Sequence, residues 1–232
     1  MADEQRIAVV TGGAGVIGSA IVAGLKASGH RTVVLDRAGG DVVCDLSSES
    51  STREAAATVL ERHGRCDVLV NCAGYLDSMT LEELDLSRWR ALMAVNVEAG
   101  LLLAQAFVPG MVENGFGRIV FISSDGQWVP PTADFLPYVT SKAALLGAMR
   151  SLAATYGGDG IAVSAVAPGL TDSPAARAVI QEGALDAVIA TQAVKRRLVP
   201  EDTANTVAFL ASDAAEALTG QVLVVDGGTV MR

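Results

Sequence analysis

The 232-residue chain is half hydrophobic, enough to bury one large core without a separate substrate domain. Its 26 acidic and 17 basic residues give a net charge of −9, which disfavours nucleic acid and anionic membranes as partners. Cys44, Cys66 and Cys72 lack metal-ligand spacing and are expected as reduced thiols; no signal-peptide pattern opens the chain and no apolar stretch of spanning length lacks glycine, proline or charge, so a cytoplasmic protein is expected.

Ile7-Ala-Val-Val-Thr11 reads as a buried parallel strand, expected over 7–11. It runs into Gly12-Gly13-Ala14-Gly15-Val16-Ile17-Gly18 and then an apolar helix to about Ser28. Gly13, Gly15 and Gly18 fit the G-x-G-x-x-G spacing, which lets backbone approach a pyrophosphate while the amides and positive dipole of the helix start face its charge. A second strand, 31–36, ends in Asp36, placed to accept hydrogen bonds from a ribose diol and to repel a 2′-phosphate, so NAD is preferred over NADP. Arg37 opposes this, because its guanidinium could grip a 2′-phosphate were Asp36 turned away.

Only Arg37 to Cys44 separate Asp36 from Asp45, whereas a parallel crossover normally takes a dozen residues or more. No helix fits there, so the third strand, 41–44, is expected to be short, reached by a tight Ala38-Gly39-Gly40 loop that leaves the adenine end of the cleft open. Further strands are expected at 67–71, 117–123, 161–167 and 221–225, with long helices at 87–113 and 138–157 and another beginning near Pro200. This alternation predicts one α/β domain over 1–232: a doubly wound parallel sheet of about seven strands with helices on both faces. Residues 170–200, rich in alanine and without a strand pattern, read as a mobile helical lid.

Tyr138 and Lys142, four residues apart in Tyr138-Val-Thr-Ser-Lys142, share one face of the 138–157 helix. A neighbouring ammonium favours the phenolate, so the pair is suited to proton exchange near neutral pH and hence to alcohol and ketone chemistry.

Further motifs accompany the glycine turn and this pair: Asn71-Cys-Ala-Gly74, Asn96 in Met93-Ala-Val-Asn96-Val, Ser123-Ser124 closing the fifth strand, Pro168-Gly169 after the sixth, and Asp226-Gly227-Gly228 near the end. On these residues the chain resembles the short-chain dehydrogenase/reductase family over nearly its whole length. The resemblance implies a Rossmann-type fold and hydride transfer between NAD(H) and a secondary alcohol or ketone. It implies that Tyr138 is the general acid/base and that Lys142 lowers its pKa and binds the nicotinamide ribose. Asn96 would hold a proton-relaying water, and Ser124 would orient the substrate oxygen. Between the two serines, strand register favours Ser124, with one residue inserted around Pro130-Pro131. The implied dinucleotide contacts are Gly12, Gly13, Gly15, Val16, Ile17, Gly18, Asp36 and Arg37 at the first turn, and Asp45 and Leu46 at the adenine. Asn71, Ala73, Gly74, Tyr138, Lys142, Pro168, Gly169 and Thr171 complete them. Val16 stands where the compact branch has the middle glycine of T-G-x-x-x-G-x-G, so the turn looks more like that of the extended, epimerase-like branch.

Trp128, Val129, Pro130, Phe135 and Leu136 lie between serine and tyrosine, where relatives line their pockets. An apolar or aromatic alcohol or ketone is therefore expected, touching Ser124, Trp128, Phe135 and Tyr138. The chain is similar to the family's 1-phenylethanol dehydrogenase group. The 3-oxoacyl carrier-protein reductases, generally NADPH-dependent, are the alternative, disfavoured by Asp36 and the acidic surface. A non-catalytic dinucleotide sensor is a second alternative, disfavoured by the complete Asn96, Ser124, Tyr138 and Lys142 set. An epimerase fails on length. Leu101, Leu102, Leu103, Phe107, Leu145, Leu146 and Met149 exceed what one sheet face would bury, which predicts a homotetramer, or failing that a dimer.

Overall fold

The structure, a computed structural model, describes residues 5–172 and 183–231. Seven parallel strands, β1 (Ile7–Thr11), β2 (Arg31–Asp36), β3 (Val42–Val43), β4 (Val68–Asn71), β5 (Gly117–Ile122), β6 (Ile161–Pro168) and β7 (Val222–Val225), form one sheet in the order β3-β2-β1-β4-β5-β6-β7. The helices are α1 (Val16–Ala27), α2 (Glu49–His63), α3 (Leu86–Met93), α4 (Ala99–Asn114), α5 (Leu136–Tyr156), α6 (Ala184–Thr191) and α7 (Pro200–Leu210).

Strand side chains alternate between faces, which builds two cores from one sheet. Ile7, Val9, Leu69, Ile119 and Phe121 pack on the α4 and α5 side with Leu103, Phe107, Leu145 and Met149. Ala8, Val10, Val68, Val70 and Val120 pack on the other side with Ile21 and Leu25 of α1 and Val207 and Leu210 of α7. All five residues of β1 are buried, as expected of a strand covered on both faces.

The short β2–β3 connection is as the sequence requires. Gly39 takes a positive φ of 74° within the loop. The Asp41 carboxylate then accepts the β2 amide of Val34 at 2.8 Å, so a side chain supplies the acceptor that the two-residue β3 is too short to offer. The expected 87–113 helix is also present, but in pieces: a π-turn, Ala94–Glu98, separates α3 from α4. This composite, Leu86–Asn114, is long and apolar enough to cross a membrane by length and composition, yet half of the qualifying window is buried inside the fold. Helix α2 has no counterpart in the sequence reading; its capping serine, Ser48, accepts from the Ser51 amide.

The apolar excess that predicted an assembly is mostly satisfied within the chain. Leu103, Phe107, Leu145, Leu146 and Met149 are buried, Leu102 is half-buried and Leu101 is 37% exposed. Of the expected 170–200 lid, residues 173–182 lie outside the described residues. Its remainder is tied down at both ends, by Asp172 N donating to Leu198 O and Val194 N donating to Gly227 O, both within 2.9 Å.

Candidate active site and dinucleotide cleft

The glycine turn at the end of β1 is shaped by contact. Gly12 has φ 66°, and a methyl there would lie 2.8 Å from Ala73 Cα. A methyl on Gly13 would meet Val34 at 2.8 Å, and one on Gly18 would run into the Gly12 carbonyl. Gly15 is looser: its added methyl would meet only Gly12 O, at 3.2 Å. The steric demand therefore falls on Gly12, Gly13 and Gly18 and least on Gly15, the glycine from which the likeness to the extended branch is drawn. Val16 is compatible because it starts α1 with its side chain 40% exposed.

This end of the cleft fits a dinucleotide. Helix α1 begins without a capping side chain or an acid in its first turn, so its amides are left for an anion. Asp36 lies against the same turn, its carboxylate accepting Ala14 N at 3.1 Å and Arg37 N at 2.8 Å, with Arg37 exposed beside it. Asp45 is exposed, and hydrogen bonds from Ser47 hold its carboxyl below the usual range. Leu46 next to it is buried in the core.

Asn71 to Gly74 joins this end to the chemistry. Thr11 Oγ1 accepts the amides of Cys72 and Ala73, at 3.0 and 3.1 Å, and Gly74 leaves room beside Lys142, whose Nζ would lie 3.5 Å from a methyl there. The Asn71 side chain is buried against Gly100 of α4 with neither polar atom paired. Cys72 neighbours Lys142, and burial pushes its thiol up to about 11.

Lys142 is buried and its Nζ donates to Ile122 O at 2.8 Å, with the ammonium 5.6 Å from the Tyr138 ring centre. Burial lowers its pKa to about 8. The Tyr138 phenol is pushed up by burial, with a hydrogen bond to Ser124 opposing. The tyrosine is thus shifted up where a depression was expected: both groups are desolvated, and removal from water disfavours both charged forms.

The two serines part clearly. Ser123 is buried; its hydroxyl donates to Lys142 O at 2.8 Å and accepts from Gln127 Nε2 at 3.0 Å, so it is spent on structure. Ser124 hydrogen-bonds the Tyr138 phenol, accepts the Gly126 amide at 3.1 Å and donates to Asp125 Oδ1 over a long 3.4 Å. Asn96 sits in the π-turn. Its Nδ2 donates to Tyr75 O and Ser141 Oγ, at 3.0 and 2.9 Å, and its Oδ1 accepts Tyr75 N at 2.7 Å. Both amide protons are committed to protein, so the side chain locks the loop after β4 to α5 rather than presenting its amide to a water.

Phe135 is edge-on to Tyr138 at 6.1 Å between ring centres, a wall for the site, whereas the half-buried Trp128 packs against the core. Pro168 ends β6, Gly169 N donates to Val225 O at 2.9 Å, and Thr171 donates to Gly169 O at 3.1 Å. A methyl on Gly169 would come within 3.2 Å of Asp125 Oδ2 and 2.8 Å of Asp226 Cβ. Asp125 was missed in the sequence, although an acid directly after the serine was the signal available. Burial, and then Asp226, raise its pKa to about 6.

A parallel sheet with an uncapped glycine turn at one end of its cleft, and a serine, tyrosine and buried lysine at the other, defines a Rossmann-type oxidoreductase that binds a nicotinamide dinucleotide. The family described as enoyl-(acyl carrier protein) reductase matches residues 10–230. D-Threitol dehydrogenase of Mycolicibacterium smegmatis is 32% identical over 99% of this chain and 94% of its own length. The 3-oxoacyl-[acyl-carrier-protein] reductase MabA of Mycobacterium tuberculosis is 34% identical over 98% and 94%. A blue fluorescent protein from a metagenomic library, solved in complex with NADPH, superposes with a TM-score of 0.89 at 30% identity, covering 97% of this chain and 98% of its own. The chain belongs to the short-chain dehydrogenase/reductase family.

Proposed function

We propose that the protein transfers hydride between NAD(H) and a secondary alcohol or ketone, with Tyr138 as general acid/base. The observation that carries this is the clustering of three groups: the ammonium of the buried Lys142 lies 5.6 Å from the Tyr138 ring centre, and Ser124 stands beside the phenol. The bound nicotinamide would supply or accept the hydride. In reduction, Ser124 Oγ–H would hold the ketone oxygen and Tyr138 would give it a proton, and the phenolate left behind, stabilised by the Lys142 ammonium, would regain a proton from solvent. Asn96 and Ser123 act as positioning residues, one fixing the loop against α5 and the other holding the Lys142 carbonyl.

NAD is favoured by Asp36, whose carboxylate is turned into the glycine turn, where a 2′-phosphate would meet a like charge. The second reading is NADP, favoured by the exposed Arg37 and by the NADPH of the solved relative. Phe135 beside Tyr138 supports an apolar portion in the substrate. A 3-oxoacyl substrate, as in the MabA relative, would bring an acidic carrier to a surface of net charge −9, which opposes it. Assembly into a homotetramer or dimer now rests on Leu101, Val112 and the half-buried edge strand β7, and light scattering at a mass near 23.8 kDa would refute both. Screening secondary alcohols with NAD and with NADP, followed by absorbance of the reduced nicotinamide, tests the reading. Turnover with neither cofactor would sink it, and preference for NADP would move the cofactor assignment to Arg37.

A further inference from the structure

Asp125 stands beside the reacting groups, and the chemistry so far gives it no task. Its Oδ1 receives the Ser124 hydroxyl proton and its Oδ2 lies beside Gly169. Tyr138, on α5, feels its charge. Across from it is Asp226, buried, whose two carboxylate oxygens are occupied by Gly228 N and Val230 N. Apart from the Gly126 amide and its own, both in its own turn, the Asp125 carboxylate has Ser124 as its side-chain donor.

A serine has one proton to give. When the Ser124 hydroxyl turns to hold a substrate oxygen, Asp125 loses that donor while half-buried and facing the charge of Asp226. A simple ketone leaves the carboxylate in this state, which opposes binding. A substrate with a hydroxyl on the adjacent carbon replaces the donor, because that oxygen lies about one hydrogen-bond length from the reacting one, as Asp125 Oδ1 lies from Ser124 Oγ. Resting on the hydride-transfer reading above, we propose that Asp125 is the specificity-determining residue of this site. It accepts a hydrogen bond from the hydroxyl next to the reacting carbon, so the substrates are vicinal diols and the α-hydroxy ketones formed from them.

The groups facing Asp125 are Asp226 after β7, Tyr138 on α5 and Ser124 and Gly126 in its own turn. Burial, and then Asp226, favour the protonated acid, so the preference for a hydroxylated substrate should fade as pH falls through about 6.

The test is binding to the Tyr138→Phe protein, whose turnover is suppressed, saturated with reduced cofactor and read by nicotinamide fluorescence, for 3-hydroxy-2-butanone against 2-butanone. The hydroxy ketone should bind about tenfold tighter or better, a ratio that should fall to within about threefold in Asp125→Ala. Asp125→Asn, neutral but still an acceptor, should give an intermediate ratio, and retained cofactor binding shows that either variant is folded. Equal affinities with Asp125 intact, or a ratio unchanged when Asp125→Ala is added, would overturn the proposal. Because binding is read in the Tyr138→Phe background and turnover in the protein with Tyr138, an intact binding ratio with neither ketone reduced by the latter would sink the hydride-transfer reading and leave the role of Asp125 standing.

Discussion

The two ends of the cleft are held by different means. At the β1–β2 end the shape is made of backbone: Gly12 against Ala73, Gly18 beneath the Gly12 carbonyl, and Asp36 taking amides of Ala14 and Arg37. At the β5–α5 end it is made of buried side chains: Lys142 on the Ile122 carbonyl, Ser123 on the Lys142 carbonyl, Asn96 bridging Tyr75 and Ser141. A backbone site tolerates no added methyl at its close approaches, Gly12 and Gly18. A side-chain site accepts small volume changes yet is governed by charge. Substitutions at one end should therefore register in stability and cofactor affinity, and at the other in turnover and pH dependence.

The largest effect expected is that of Tyr138→Phe, which removes the proton donor and keeps the ring packed on Phe135. Turnover should fall by about 10²–10⁴, with cofactor affinity within about threefold. Steady-state rates and cofactor titration check it, and near-normal turnover would remove the tyrosine from the mechanism. Next is Gly18→Ala at the opposite end. With no room beside Gly12, it should cost about 3 kcal/mol or more in urea unfolding, whereas Gly15→Ala, at φ −74° in ordinary extended backbone, should stay within about 1 kcal/mol. Equal costs for the two would mean that the turn is not built on Gly12 and Gly18.

Two neighbours on one strand end sharpen the contrast further. Ser124→Ala removes the hydroxyl facing Tyr138 and should lower turnover by about 10²-fold with stability little changed. Ser123→Ala removes a buried hydroxyl that serves Lys142 O and Gln127, and should cost about 1 kcal/mol of stability while turnover stays within about tenfold. Rates and unfolding curves of both variants decide it, and the opposite pattern would reassign the site serine to Ser123.

The backbone-made end was the more legible in the sequence. Glycines at tight turns, an acid ending a strand and a connection too short for a helix are local facts, and the sheet, the missing crossover helix and the placement of Asp36 follow from them. The side-chain end was legible where spacing fixes a shared helix face, as for Tyr138 and Lys142, and where strand register separates Ser124 from Ser123. What escaped depends on burial and on long-range partners. The upward shift of Tyr138 comes from desolvation, and the full commitment of Asn96 comes from Tyr75 and Ser141, 21 and 45 residues away. The sheltering of Leu145 and Met149 within the chain comes from packing against strands far away in sequence.

The smallest expected effect tests whether charge rather than shape limits the side-chain end. Asp125 titrates near 6 in the fold, above its ordinary 3.8, because burial and Asp226 disfavour its ionised form. A carboxyl with a raised pKa costs stability at pH values above 6, where it is ionised in both folded and unfolded chains, and the cost fades as pH falls from 6 toward 3.8. Asp125→Asn carries no charge at any pH and has nearly the same volume. The variant should therefore be more stable than the unmodified protein by about 1 kcal/mol at pH 8, a figure reduced for the partial exposure of the group, with a smaller gap at pH 5. Comparing the two chains in urea at each pH cancels the titrations they share. A gap of the same size at pH 5 and pH 8 would show that position 125 acts through packing or hydrogen bonding alone. A gap larger at pH 8 than at pH 5 would place the cost in the burial of the Asp125 charge and its facing Asp226.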